Sequence, residues 1–177
     1  MRKLILLGLA IITFTACQQS EQRFFTESEE INIVKAEITA YQSGDFDKWK
    51  SYFADTAKMF FNSNKSVTVN ARYEESPEFV SNFKSYGFDR EKEYLEMIIN
   101  NKEETWVYYW ATWNGELAAN NNKISFPAHM AFQFIDGKIV EEHLYFDATT
   151  MNAALIEIEA INDSLEVITE EDESEVE

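Results

Sequence analysis

The sequence has one cysteine, two prolines, two histidines and five glycines, and its 15 basic residues are outnumbered by 32 acidic ones. A single cysteine excludes an intramolecular disulfide. The net charge of −17 repels phosphate backbones, so we expect no nucleic-acid binding. Neither histidine is flanked by acidic residues at metal-ligand spacing, and we expect no metal site. Phosphate-binding glycine loops, nucleophile elbows and paired cysteines are also missing, so no cofactor is expected.

No apolar run is long enough to remain as a membrane-spanning helix. The longest, Leu4 to Phe14, has about 11 residues, whereas a span needs roughly 20. It follows Arg2 and Lys3 and precedes Thr15-Ala16-Cys17, which is the order of a secretory signal. The alternative for Cys17 is a buried structural cysteine.

The segment ending at Cys17 resembles the lipobox of bacterial lipoproteins. That resemblance implies removal of residues 1–16 and transfer of a diacylglycerol to the Cys17 sulfur. We therefore expect a protein of the bacterial cell envelope, on the periplasmic or cell-surface face, that contacts the membrane through its lipid anchor only.

Composition predicts one folded domain with polar ends. Apolar residues make up 45% of the chain and aromatic residues 15%, which is more than a disordered chain carries. Residues 17–26 are polar and are predicted to be a tether. Residues 163–177 contain eight carboxylates and no basic residue, which is typical of a disordered acidic tail. The domain is predicted to occupy residues 27–162.

Helical periodicity predicts three helices in the first half of this domain. The first is predicted to begin after Thr26, because Thr26 and Glu29 have the spacing of a capping box. Asp45 is predicted to cap the second. The third is predicted to open at Ser76-Pro77, with proline at the first helical position, and to continue through Phe83 and Tyr86 until Gly87.

The second half reads as strands followed by a helix. The predicted strands cover residues 94–99, 105–113, 124–135 and 138–147, and the closing helix starts near residue 150. Asp136-Gly137 has the composition of a two-residue type I′ hairpin turn. The pattern predicts an α+β fold in which helices cover one face of a curved antiparallel sheet.

Two motifs give the chain a family resemblance. The first reads YQSGDFDKW over residues 41–49 and leads into YFAD at 52–55; the second reads FQFIDGKI over residues 132–139 and leads into YFD at 145–147. The chain resembles the nuclear transport factor 2-like superfamily, particularly its polyketide-cyclase-like (SnoaL-like) branch, over about residues 29–160. The resemblance implies a cone-shaped sheet wrapped around an N-terminal helix pair and a third helix, as in cystatin-like α+β barrels. It also implies a small-ligand pocket in the cone, and often a homodimer.

The hairpin predicts which side chains face that pocket. Regular pairing outward from the turn gives five opposed pairs on one face: Phe134 with Ile139, Phe132 with Glu141, Met130 with His143, Ala128 with Tyr145, and Phe126 with Asp147.

These pairs suggest a catalytic hypothesis. Asp147 among apolar side chains would have a raised pKa and act as a general acid or base, and the family resemblance implies a catalytic aspartate at this end of the strand. Tyr145 would hydrogen-bond a substrate oxygen, and His143 would assist proton transfer. In the alternative, Asp147 caps the closing helix or ends the strand in solvent, Tyr145 is a core aromatic, and His143 lies at the rim.

Aromatic and methionine side chains are candidates for the pocket wall. The predicted ligand-binding residues are Trp49, Phe53, Trp110, Met130 and Phe132. His129 is predicted on the opposite face, at the outer surface or in a dimer interface. Residues 105–113 carry large aromatics on both faces, which favours a second subunit against the outer one and hence a homodimer.

Two classes of function remain open. One is a lipid-anchored, non-catalytic module that binds a small apolar molecule or a partner protein. The alternative is a cofactor-free enzyme, such as an isomerase, cyclase or dehydratase, that uses Asp147 as general acid or base.

Overall fold

The computed structural model of the chain describes residues 21–174, with side-chain surroundings up to residue 164. The predicted signal peptide, residues 1–16, and the predicted lipidation site, Cys17, lie outside the described residues. The elements, in chain order, are β1 Phe24–Phe25, α1 Glu29–Gln42, α2 Phe46–Lys50, β2 Phe53–Phe61, β3 Val67–Thr68, α3 Val69–Ser81, β4 Phe83–Phe88, β5 Tyr94–Ile99, β6 Thr105–Leu117, β7 Lys123–Ile135, β8 Lys138–Phe146 and α4 Ala148–Ser174. Within this part of the chain, no helix is both long and apolar enough to cross a membrane.

The eight strands form one sheet, in the order β1-β5-β6-β7-β8-β2-β3, with β4 also pairing with β6. Neighbouring strands are antiparallel except β2 and β8, which run parallel. The expectation of a wholly antiparallel sheet is therefore wrong at this one pair. The predicted α+β fold, with helices against a curved sheet, is confirmed.

The N-terminal helix pair forms as predicted, with a different first cap. The Ser28 hydroxyl accepts a hydrogen bond from the Ile31 amide at 3.1 Å, so Ser28 and not Thr26 caps α1. Asp45 caps α2 and accepts from the Lys48 amide at 3.0 Å, as expected. These caps satisfy amide groups that have no partner inside the helix.

The third helix begins earlier than predicted. Thr68 caps α3 by accepting from the Ala71 amide at 3.1 Å, and Pro77 lies inside the helix, not at its start. The residues expected to continue this helix form β4, which pairs with the far half of β6. Tertiary packing outweighs the local helical preference of these residues, because Phe83 lies against the Trp113 ring with centroids 5.2 Å apart.

The hairpin between β7 and β8 has the predicted turn and an unpredicted bulge. Asp136 and Gly137 have φ of 50° and 73°, as a type I′ turn requires. Phe134 pairs with Ile139, but the next pair is Gln133 with Glu141, so one residue of β8 is left over. A single extra residue reverses which face each later side chain occupies.

The closing helix is longer than predicted. α4 continues to Ser174, so its backbone extends past residue 163, where the acidic tail is predicted to begin. Glu, Leu and Ile all tolerate helical backbone well, and a helix already formed extends at little further cost. The helix is tied to the β6–β7 turn because Glu157 accepts hydrogen bonds from Asn120 at 2.7 Å and Asn122 at 2.6 Å.

Candidate functional site

The helices and the inner face of the sheet enclose a cavity of about 270 Å³. Side chains from all four helices line it, together with inward side chains of the sheet, most of them from β7 and β8. Most of the wall is aromatic or aliphatic, including Met130 and Phe126, and three lining residues are acidic or basic: Glu37, Arg72 and Glu142. An apolar cavity with few polar groups is typical of a small-molecule site.

The bulge in β8 changes the predicted composition of this site. Glu142, Leu144 and Phe146 line the cavity. Tyr145 pairs with His129 and is 50% exposed on the outer face. His143 faces the same outer side and stacks on Phe60, with ring centroids 4.4 Å apart. The predicted inward orientation of Tyr145 and His143 is therefore wrong.

Asp147 also lies outside the cavity, where it caps α4. Its carboxylate accepts hydrogen bonds from the Thr149 amide at 2.9 Å and the Thr150 hydroxyl at 2.8 Å. The Thr150 and Thr149 hydrogen bonds lower the pKa of Asp147, which is the opposite of the rise that the catalytic hypothesis required. The capping alternative describes its position.

The predicted wall residues divide into three groups. Trp49 and Met130 line the cavity. Phe53 and Phe132 are buried in the core that supports it, without belonging to its lining. Trp110 lies on the outer face, 38% exposed, with its ring stacked on His129 at 4.6 Å between centroids. Its predicted place in the pocket is wrong, because it alternates with the inward residues of β6.

Glu37 projects from α1 into the cavity and is 2% exposed. The indole Nε1–H of Trp49 donates a hydrogen bond to its Oε1. Its Oε2 is buried and accepts no hydrogen bond from the described residues. Trp49 thus holds the Oε1 atom in place, while the Oε2 atom is free to bind a ligand.

Glu142 on β8 is the second buried carboxyl group, 3% exposed. Its Oε2 is likewise buried without a partner among the described residues. Burial raises its pKa to about 8, and the positive charge of Arg72 opposes part of that rise. Burial also raises the pKa of Glu37 well above its usual range, and the neighbouring charge of Glu142 raises it further. The two groups favour holding protons near neutral pH.

Arg72 brings a positive charge to the same cavity from α3. Its guanidinium lies over the rings of Phe61 and Phe79, 5.2 Å from each centroid. No carboxylate oxygen of the described residues comes within 4.0 Å of it. Among the described side chains, no three His, Cys, Asp or Glu groups converge as metal ligands would.

Sequence reasoning missed both carboxyl groups of the site. Glu37 had a usable signal, since Val34, Glu37, Ile38 and Tyr41 share one face of a helix and a carboxylate on an apolar face is unusual. Glu142 had no comparable sequence signal, because its side chain faces inward only as a result of the bulge in β8.

The outer face of the sheet carries a layer of aromatic and histidine side chains. His129 lies there as predicted and stacks between Trp110 and Tyr145. The expectation that the two histidines point to opposite faces is wrong, since His143 shares this side. The homodimer expected on this face stays a prediction.

Solved structures with similar folds include candidate polyketide cyclases. One from Xanthomonas campestris pv. campestris is 15% identical and has a TM-score of 0.58, with 71% of this chain and 96% of that chain covered. A candidate SnoaL-like polyketide cyclase from Shewanella putrefaciens CN-32 is 13% identical, with a TM-score of 0.57 and coverages of 73% and 98%. AclR, a candidate hydroxylase from Streptomyces galilaeus, is 11% identical, with a TM-score of 0.58 and coverages of 75% and 96%.

At these identities the structures share the fold and not an established activity. No protein of curated function matches the chain in sequence. The family model of the SnoaL-like domain matches residues 34–142, which is more than half of the chain and includes Glu37, Arg72 and Glu142. The chain therefore belongs to the SnoaL-like domain family.

Proposed function

We propose that this protein binds a small, largely apolar molecule in the cavity, and that Glu37 and Glu142 hydrogen-bond a polar oxygen of that molecule. The observation that carries the proposal is the pair of buried carboxyl groups, each with one oxygen that lacks a partner among the described residues. Burying an unsatisfied polar group costs free energy. A ligand carbonyl or hydroxyl would satisfy the pair, whereas packing alone leaves it unexplained.

A second candidate function is proton transfer at the same pair, as in a cofactor-free isomerase, cyclase or dehydratase. It is favoured by the raised pKa of Glu142, about 8, because an acid or base works best near the operating pH. The ionised carboxylate would take a proton from the carbon next to a carbonyl. The protonated partner would donate its proton to the carbonyl oxygen, which gives an enol. Glu37 and Glu142 thus replace Asp147 in the catalytic hypothesis, and the names of the structural relatives support this class of reaction.

Native mass spectrometry of the full chain, purified from its own host, tests the binding proposal. We expect a retained small molecule in the wild type that is lost in Met130→Trp, because the larger side chain fills the cavity. Asp147→Asn is the matched control, since it removes a carboxylate from the surface and should leave retention unchanged. Retention that survives Met130→Trp contradicts a ligand site in this cavity.

Glu142→Gln separates the two functions in the same experiment. Weaker retention than in the wild type supports binding through the carboxyl pair. A molecule that accumulates in Glu142→Gln and is absent from the wild type supports turnover, and its mass gives the class of substrate. Equal retention in both proteins contradicts a role for Glu142.

We also propose that the domain is held at a membrane surface through lipidated Cys17. The support is the sequence of residues 1–17, and several acyl chains together bind a bilayer stably. Cells fed an alkyne-tagged palmitate should label the full-length wild type and not Cys17→Ala. The wild type should sediment with membranes and the variant should not. Equal labelling of the two proteins would contradict the anchor.

A further inference from the structure

The guanidinium of Arg72 is oriented by packing and not by an ion pair. The guanidinium carbon lies 5.2 Å from the ring centroid of Phe61 and 5.2 Å from that of Phe79. Arginine stacks on aromatic faces while its N–H donors stay available in the plane of the group. The described carboxylates all lie beyond 4.0 Å from it. Arg72 thus lines the cavity with a guanidinium that has no acidic partner within that distance.

The charge of the cavity itself favours an anion despite the acidic chain. Glu37 and Glu142 take up protons readily because they are buried, so the lining is positive near neutral pH once Arg72 is counted. The remaining titratable lining group, Tyr41, has its pKa raised to about 12, chiefly by burial, and stays neutral. Repulsion from distant surface carboxylates is screened over about 8 Å at physiological ionic strength.

Resting on the proposed function, we propose that Arg72 selects ligands with an anionic oxygen group, so that the cavity takes apolar acids in preference to their neutral analogues. A carboxylate or an acidic enol would accept two parallel hydrogen bonds from the guanidinium. The apolar body of the ligand would lie against Met130 and Trp113, which both line the cavity, and a second oxygen would reach the carboxyl pair. Arg72 is then a specificity-determining residue.

Isothermal titration calorimetry at pH 6.5 with 2-naphthoate and 2-naphthamide tests this selection. The two probes share their ring system and differ in charge. We expect the full-length wild type to bind 2-naphthoate at least about tenfold more tightly, since a charge-assisted hydrogen bond adds about that factor. Arg72→Gln should abolish the preference by weakening 2-naphthoate binding, with 2-naphthamide changed less than about twofold. Arg72→Lys should retain part of the preference, because lysine keeps the positive charge but lacks the two parallel N–H donors of the guanidinium.

Lys48→Gln is the matched control. Lys48 also places a cation over an aromatic ring, 5.2 Å from the Tyr52 centroid, but it is exposed and outside the cavity lining. It should leave both affinities unchanged. Equal binding of the two probes by the wild type overturns the proposed selection by Arg72 and leaves the proposed binding function standing. An equal loss of both probes in Arg72→Gln also overturns the selection, in favour of a packing role. Failure of the wild type to bind either probe would count against the proposed function as well.

Discussion

Replacing Glu142 with Gln should raise the free energy of unfolding by roughly 4 kcal/mol at pH 8.5 and by less than about 1 kcal/mol at pH 5. Burial raises the folded pKa of Glu142 from 4.5 to about 8. The folded protein therefore binds this proton more tightly than the unfolded chain does. The stabilisation is complete below the unfolded pKa and is lost as the pH rises towards the folded pKa. Wild-type stability should accordingly fall between about pH 5 and pH 8.

Urea unfolding from pH 5 to pH 8.5 measures this difference. Gln has the size of the protonated acid and cannot ionise, so the curve of Glu142→Gln should be flatter than that of the wild type. Part of the slope should remain, because Glu37 is also buried with a raised pKa. Glu141→Gln is the matched control: Glu141 is the preceding residue, faces the outer side and pairs with His143 at 2.7 Å. Parallel curves for Glu142→Gln and the wild type would show that Glu142 is not buried in its neutral form.

The local sequence signals predicted the elements whose packing agrees with them. The first helix, the strand over residues 94–99 and the Asp136-Gly137 turn all formed where hydrophobic period and turn chemistry indicated. At Ser76-Pro77 the same rules failed. Proline at the first position of a helix and proline within a helix cannot be told apart from the local sequence. The actual helix start is set by the Thr68 cap, and the helix end is set by the packing of Phe83 against Trp113.

The candidate site was harder to predict, because it depends on a single extra residue. Strict alternation along β8 points His143 and Tyr145 inward and Glu142 outward. The bulge after Ile139 reverses the orientation of all three side chains, and no sequence signal near Val140 predicts the bulge. The bulge coincides with an irregularity in the neighbouring pair of strands, since the register of the parallel β2–β8 pairing also shifts between Phe53 and Lys58. Fold class survives such a shift, whereas the identity of the catalytic candidates does not.

Phe132→Ala should destabilise the domain by about 3–5 kcal/mol while weakening ligand binding little. Phe132 is fully buried on the inner face of β7, between Val107 on β6 and Glu142 on β8, and lies outside the cavity lining. Truncation removes the apolar contacts of the ring and leaves a void that rigid neighbouring strands cannot close. For a chain of this size the unfolding temperature should fall by roughly 10 °C or more. Thermal unfolding and 2-naphthoate titration of the same sample give both quantities.

Trp110→Ala provides the comparison, because it removes a larger ring from the outer face of the adjacent strand. The Trp110 side chain is 38% exposed, so its loss in a monomer should cost less than the loss of Phe132, because less apolar area is exposed and solvent fills the space that is left. A cost for Trp110→Ala as large as that for Phe132→Ala would mean that the outer face is covered in solution. That result would support the predicted homodimer, since a second subunit on the aromatic layer would bury Trp110, His129 and Tyr145 together. A Phe132→Ala protein that keeps its stability and loses its ligand would instead move Phe132 into the binding site.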